Sequence, residues 1–294
     1  MVARPATAPP PSQRVLGRRR WARPLVRNKL VLVGLVLAVA QAAIALLAPL
    51  VAPANPVEMN AGRALQGPSL SAPFGTDRFG RDVLSRAMYG ARASLSIGVG
   101  AIAIAALVGT IVGLTAGYRG GVVDNLLGRV MDVFFTFPSL ILAIAISVAL
   151  GLGTQNALLA IAATYWPAFG RVVRGATLAE RGREYVEAAR VIGAPSLRIV
   201  RGHVLPNVLS PLIVQATVGI SQAIIVESSL SYLGLGTQPP TPSWGTMINE
   251  GRTFLGTAPW ISVFPGAAIM LAVLAFNLVG DGLREVLDPR MRVS

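Results

Sequence analysis

From Val133 to Gly170 the chain runs 38 residues without a single Asp, Glu, Lys or Arg. Crossing a bilayer core of ~30 Å takes ~20 helical residues at 1.5 Å each, so this run is too long for one span and right for two. Gly151-Leu152-Gly153-Thr154-Gln155-Asn156 supplies the turn between them, and Phe137-Pro138 and Trp166-Pro167 are positioned to kink the two helices. Further apolar runs follow the same rule. Leu30–Val51 is one, the uncharged stretch between Arg92 and Arg119 a second, residues 209–234 a third, and Phe254–Gly280 a fourth. The pattern predicts an all-α integral membrane protein with six transmembrane helices.

Composition agrees. The 294 residues are 53% hydrophobic and 13% charged, with mean hydropathy +0.61, whereas a soluble domain carries about a quarter charged residues. The net charge of +13 does not point to nucleic acid, because the basic residues lie in short loops beside apolar spans and no extramembrane domain is long enough to carry a patch. Eight fall in the first 29 residues and seven in Arg171–Arg201. With six spans both termini share one side, and the loops on that side hold 20 basic residues against 6 on the other. Basic residues stay inside, so both termini are expected to be cytoplasmic.

The expected boundaries are a basic, disordered cytoplasmic tail at 1–28 and a first helix at 29–52. An extracytoplasmic loop with an amphipathic segment follows at 53–92. A five-helix core at 93–285 holds a cytoplasmic loop at 176–207, and 286–294 form a short tail. The Arg18-Arg19-Arg20 cluster precedes an apolar run longer than a signal-peptide core, so the first helix reads as retained. Arg119-Gly120-Gly121 to Arg129 reads as an inside loop, and Asp132 as a structural residue near Arg129. Gly109, Gly113 and Gly117 recur every four residues and would let another helix approach closely. Trp260 reads as an interfacial anchor.

Several chemistries are excluded. No cysteine is present, so thiolate and disulfide chemistry are ruled out. The single histidine, His203, has no clustered ligands for a metal and no zinc-protease spacing around it. No phosphate-binding loop surrounds Lys29, the only lysine, so any ATP must be hydrolysed by another chain. Intramembrane acids are limited to Asp132 and Glu227, near span ends. That scarcity argues against an ion-coupled secondary transporter, the competing class.

The polar island Glu184–Asn207 carries the functional signal. As a helix it aligns Tyr185, Ala188, Ala189 and Ile192 on one face, with Glu184, Glu187 and Arg190 away from it. Arg183 and Glu187 form an i,i+4 pair. Gly193 is placed to stop the helix, and Ala194-Pro195-Ser196 makes a corner. Ser196 then caps a second short helix to about His203, and Pro206 returns the chain to the membrane.

Glu187-Ala188-Ala189, then Gly193, then Leu205-Pro206 resemble the coupling loop of ABC-importer permeases. His203 stands where the general pattern has Ile, and this variant is similar to the dipeptide, oligopeptide and nickel branch. The run Gly75-Thr76-Asp77 to Gly80-Arg81-Asp82 and Ser85-Arg86 resembles the same branch. So do Leu233–Gly236 with Gln238–Gly245, and Phe276–Arg284 with Leu287–Arg290. Together these motifs cover roughly residues 70–292 and favour a C-type subunit.

The resemblance implies the type I importer permease fold in a bacterial inner membrane. It also implies a second permease, two ATPase subunits that bind ATP and magnesium, and an extracytoplasmic solute-binding protein. The chain itself would bind no cofactor or metal and would not be an enzyme. Glu184, Glu187, Ala188, Ala189, Arg190, Gly193, Leu205 and Pro206 would form the ATPase contact; an ordinary basic loop at lipid headgroups is the alternative. Glu227, Ser228 and Ser231 either face the pathway or hydrogen-bond a neighbouring helix. Asp77, Arg81 and Asp82, and near the C-terminus Asp281 and Arg284, read as structural or interfacial. The solute is expected to be a peptide, with nickel or another chelated metal as the alternative.

Overall fold

The computed structural model describes residues 29–287. The expected tail at 1–28 and residues 288–294 lie outside them. Ten α-helices organise this part, and no strand forms among the described residues. α1 is Lys29–Val51, α2 Val83–Arg119, α3 Gly121–Phe135, α4 Ser139–Leu150 and α5 Thr154–Arg181. α6 is Glu184–Val191, α7 Ser196–Ile199, α8 Leu205–Tyr232, α9 Trp244–Gly251 and α10 Trp260–Leu287.

Four stretches are long and apolar enough to cross a membrane, namely α1, α2, Ser196–Tyr232 and Trp260–Val286; α3 and α4 together make a fifth candidate, bent by 93° at their break. The break falls at Thr136-Phe137-Pro138, where the proline-restricted backbone was expected to kink. The 28-residue α5 is apolar through its first half, while its second half carries Arg171, Arg174, Glu180 and Arg181.

The tightest helix pairing joins α2 to α5 through the glycine repeat. A Cβ on Gly109 would lie 2.5 Å from Phe169 Cβ, one on Gly113 2.6 Å from the Gly170 carbonyl, and one on Gly117 2.7 Å from Thr177 Cβ. The absence of side chains brings the two backbones together, as the spacing predicted. Ile97, Ile102, Ile161, Phe169, Ala223 and Leu230 fill the space between α2, α5 and α8. α1 lies against α10, with Gly34 facing Leu278 Cβ. Its other faces leave Leu46 and Leu50 open, which suits a hydrocarbon solvent.

Several expectations need correction. The Arg119–Arg129 inside loop is the amphipathic helix α3, because Asp124 can form a two-point ion pair with Arg174 of α5. Asp132 pairs with Arg171 at 2.7 Å rather than with Arg129. α2 begins at Val83, ahead of the charge-free run, since Asp82 caps it by accepting from the Ser85 amide at 2.7 Å. The outer loop contains the helix α9, closed by a Ser243–Thr246 capping box. Trp260 begins α10 and donates to the Thr76 carbonyl at 3.1 Å. It pins the loop at Gly75 as well.

Candidate functional site

α6 is the eight-residue helix of the polar island. It ends as its sequence dictates. Gly193 takes φ +79°, its amide donates to the Arg190 carbonyl at 2.9 Å, and the Ala194 amide donates to the Ala189 carbonyl at 3.0 Å. These two bonds are a Schellman closure, which needs a residue in the left-handed region at C′. A Cβ on Gly193 would meet nothing within 4 Å. Glycine is therefore required there by conformation, not by space.

The helix is held to the bundle by the face next to the aligned Tyr185, Ala188 and Ile192. Val186 and Ala189 are buried against Val173, Ile199, Val204 and Val208, while Tyr185, Ala188 and Ile192 are exposed. Of the four residues aligned on one face, Ala189 alone is buried. Arg190 stacks over the Tyr118 ring at 5.3 Å. Outward go Glu184, Glu187, Ala188, Val191 and Ile192, the last two 87% and 83% exposed, with Leu197 beyond the turn. A short helix thus shows acid groups, a small residue and bare aliphatic side chains outside any span.

The second short helix is not separate. Ser196 is the first residue of α7 and makes no side-chain cap. α7 runs through a π-helical turn, Val200–Val204, directly into α8. Pro206 sits at the start of α8, where the wider preceding turn accommodates a ring that lacks an N–H. Leu205 is half-buried and Pro206 exposed.

Sequence reasoning missed a clamp at the base of α6. The Tyr185 hydroxyl donates to Glu180 Oε2, and Asn207 Nδ2 donates to the Tyr185 oxygen at 3.1 Å and to the His203 carbonyl at 2.7 Å. Desolvation, and then the Glu180 carboxylate beside it, push the Tyr185 phenol up to about 12, so it is a neutral donor at ordinary pH. The clamp ties the end of α5, the start of α6 and the start of α8 together. The only signal was Asn207 directly after Leu205-Pro206.

The remaining expected residues fall elsewhere. Asp77 accepts from the amides of Phe79 and Arg81 and pairs with Arg81 Nε at 2.6 Å. Arg81 and Arg86 both reach Glu250 of α9, at 2.6 and 2.8 Å. Glu250 carried no sequence signal. Glu227, Ser228 and Ser231 are all buried inside the chain, Glu227 completely. Ser231 Oγ donates to Glu227 at 2.8 Å and accepts from the Thr237 amide at 3.1 Å. Ser231 thereby ties the outer loop to α8, and Ser228 also borders an open cleft with Ser229, Tyr232 and Ile248. Asp281 and Arg284 are exposed near the end of α10. No group of His, Cys, Asp or Glu among the described residues is arranged to hold a metal ion.

The family described as binding-protein-dependent transport system inner membrane component matches residues 109–293. The chain belongs to this family. The N-terminal transmembrane domain of oligopeptide transport permease C matches residues 17–68. The chain is 46% identical, over 97% of its length and 95% of the relative's, to the dipeptide transport system permease protein DppC of Alkalihalophilus pseudofirmus. It is 48% identical, over 77% of its length and 75% of the relative's, to the glutathione transport system permease protein GsiD of Escherichia coli O6:K15:H31. Among solved structures, an inward-facing form of the MetNI methionine ABC transporter aligns with TM-score 0.54 and 22% identity. That alignment covers 67% of this chain and 94% of the other, and supports the importer-permease fold. As a transport permease of this family with several apolar spans, the protein is a multi-pass inner-membrane component.

Proposed function

We propose that this permease is one transmembrane half of an ATP-driven importer of peptides, and that α6 is its coupling helix. The observation that carries the reading is the outward face of α6. Val186 and Ala189 anchor the helix to the bundle, the turn at Gly193 closes it, and Glu187, Ala188, Val191 and Ile192 are left for another protein. The 46% and 48% identical relatives, named for dipeptide and glutathione transport, support the peptide class.

The partners are a second, different permease, two ATPase subunits that bind ATP and magnesium, and an extracytoplasmic solute-binding protein. Six spans, with α5 as the fourth, leave both termini and α6 in the cytoplasm. Glu184, Glu187 and Arg190 offer charge-assisted hydrogen bonds to the ATPase cleft, and Ala188 permits close approach. Closure of the ATPases pushes α6, and the clamp at Tyr185 passes the push to α5 and α8. The bundle then switches between two packings that open the path to alternate sides.

Affinity purification from mild detergent, with mass spectrometry of the retained subunits, tests this. A second permease and ATPases should be recovered and then lost on Glu187→Arg with Gly193→Asp, while the variant still inserts into the membrane. A stable particle lacking any ATPase overturns the reading. So does normal peptide uptake by Gly193→Asp.

A further inference from the structure

Gln222 sits at a depth where lipid cannot cover it cheaply. It lies ten residues before the outer end of α8 at Tyr232, about 15 Å along the helix and so near the middle of a ~30 Å core. Its side chain is exposed. An amide left bare in hydrocarbon is strongly disfavoured, because nothing there replaces its hydrogen bonds to water.

The break between α3 and α4 reaches the same level by an independent count. α4 has 12 residues, so Ser139 lies about 18 Å below its outer end. There Thr136, Phe137 and Pro138 are non-helical and exposed. Irregular backbone at membrane depth is tolerated only where protein buries it or where it lines an aqueous cavity.

The two features border one half-enclosed cleft of about 280 Å³, walled by Phe134, Phe137, Ser139, Tyr165 and Gln222. Its polar groups are an amide, a phenol and hydroxyls, and no charged residue lines it. Thr164, also on the wall, donates to the Ala160 carbonyl at 2.8 Å, and the Tyr165 phenol and Ser139 hydroxyl hydrogen-bond each other, which leaves Gln222 as the group free to bridge. Gln215, seven residues earlier on the same helix face, continues the polar line. Neutral donors and acceptors beside aromatic walls match a main-chain amide and are indifferent to side-chain charge.

We propose that this cleft is the permease's share of the solute path, in which Gln222 hydrogen-bonds the main-chain amide of a passing peptide between the aromatic walls. The proposal rests on the peptide-importer reading and assigns it a place. Because the wall carries no charge, it passes peptides of varied side chains, and discrimination among them falls to other components.

The chain has no cysteine, so Gln222→Cys gives it a single thiol, whose labelling can be followed on this subunit's own band from the assembled importer in membranes. A water-soluble methanethiosulfonate should react with it at least about tenfold faster than with Val39→Cys on the lipid-facing side of α1. A mixture of neutral di- and tripeptides, supplied with binding protein and ATP, should slow the reaction. Gln222→Leu should lower maximal uptake several-fold while leaving the ATPases bound. A rate no faster than Val39→Cys, as under a covering partner helix, overturns the proposal, and so does labelling that peptides leave unchanged. Labelling does not depend on turnover, so a reactive Gln222→Cys in a particle without ATPase would indict the importer reading instead.

Discussion

Arg81 Nη2 lies 2.6 Å from Glu250 Oε2, although 169 residues separate them in the chain. Arg86 Nη2 reaches the same oxygen at 2.8 Å, and Asp77 lies on the other side of both guanidiniums. Two cations and two anions balance in a site where Asp77, Arg81 and Arg86 are almost wholly buried. The cluster fastens the extracytoplasmic loop and the start of α2 to α9.

Removing Glu250 breaks that balance. Glu250→Ala leaves two buried guanidiniums sharing one carboxylate, and loss of one partner from a buried pair costs about 3–5 kcal/mol. Thermal unfolding of the purified complex should show a clear drop for Glu250→Ala and a smaller one for Glu250→Gln, which keeps an acceptor. Equal stability of all three would mean that the cluster holds nothing together.

The glycine repeat makes a second, sharper contrast. At Gly113 a Cβ would press on the Gly170 carbonyl at 2.6 Å, backbone that cannot rotate away. Gly113→Ala should therefore destabilise by about 1–3 kcal/mol, the usual cost of overpacking. Gly175 lies on α5 with nothing within 4 Å of its would-be Cβ. There alanine should instead stabilise by roughly 0.5–1 kcal/mol through better helix propensity. Chemical or thermal unfolding of the two variants side by side checks both signs.

What the sequence showed of this fold was local. Four-residue spacing of glycines announces a helix contact because it repeats on one helical face, and Gly193 announces a helix end because left-handed backbone favours glycine. The buried face of α6 was not legible. Tyr185, Ala188, Ala189 and Ile192 make one nonpolar strip and Val186 with Ala189 a neighbouring one, so periodicity fits both. Only packing against Val173 and Val208 decides between them. Glu250 was invisible for a related reason, since its partners come from the far end of the chain. For Glu227 the sequence leaves two roles open, since a carboxyl in a span with serines beside it reads equally as pathway lining or as a hydrogen-bonded group; the structure adds its bond to Ser231.

Tyr185 is the polar link between α6 and the two helices beside it. The Tyr185 hydroxyl stands between Glu180 of α5 and Asn207 of α8, so Tyr185→Phe removes both links while leaving Glu187, Ala188 and Ile192 in place. Each partly exposed hydrogen bond is worth about 0.5–1.5 kcal/mol net, too little to unfold the bundle. ATPase subunits should still co-purify, but solute moved per ATP hydrolysed in proteoliposomes should fall several-fold. Asn207→Asp should do worse, because it sets a second carboxylate against Glu180. The phenol titrates at about 12 in the folded chain, above the ordinary tyrosine value of about 10. The native state thus holds the proton more tightly, and the clamp's contribution is complete below about 10 and lost as pH rises through the folded value. Over the physiological range the ratio of uptake to hydrolysis should therefore not vary through Tyr185. An unchanged ratio in Tyr185→Phe would place the transmission elsewhere, in the Val186–Val208 packing alone.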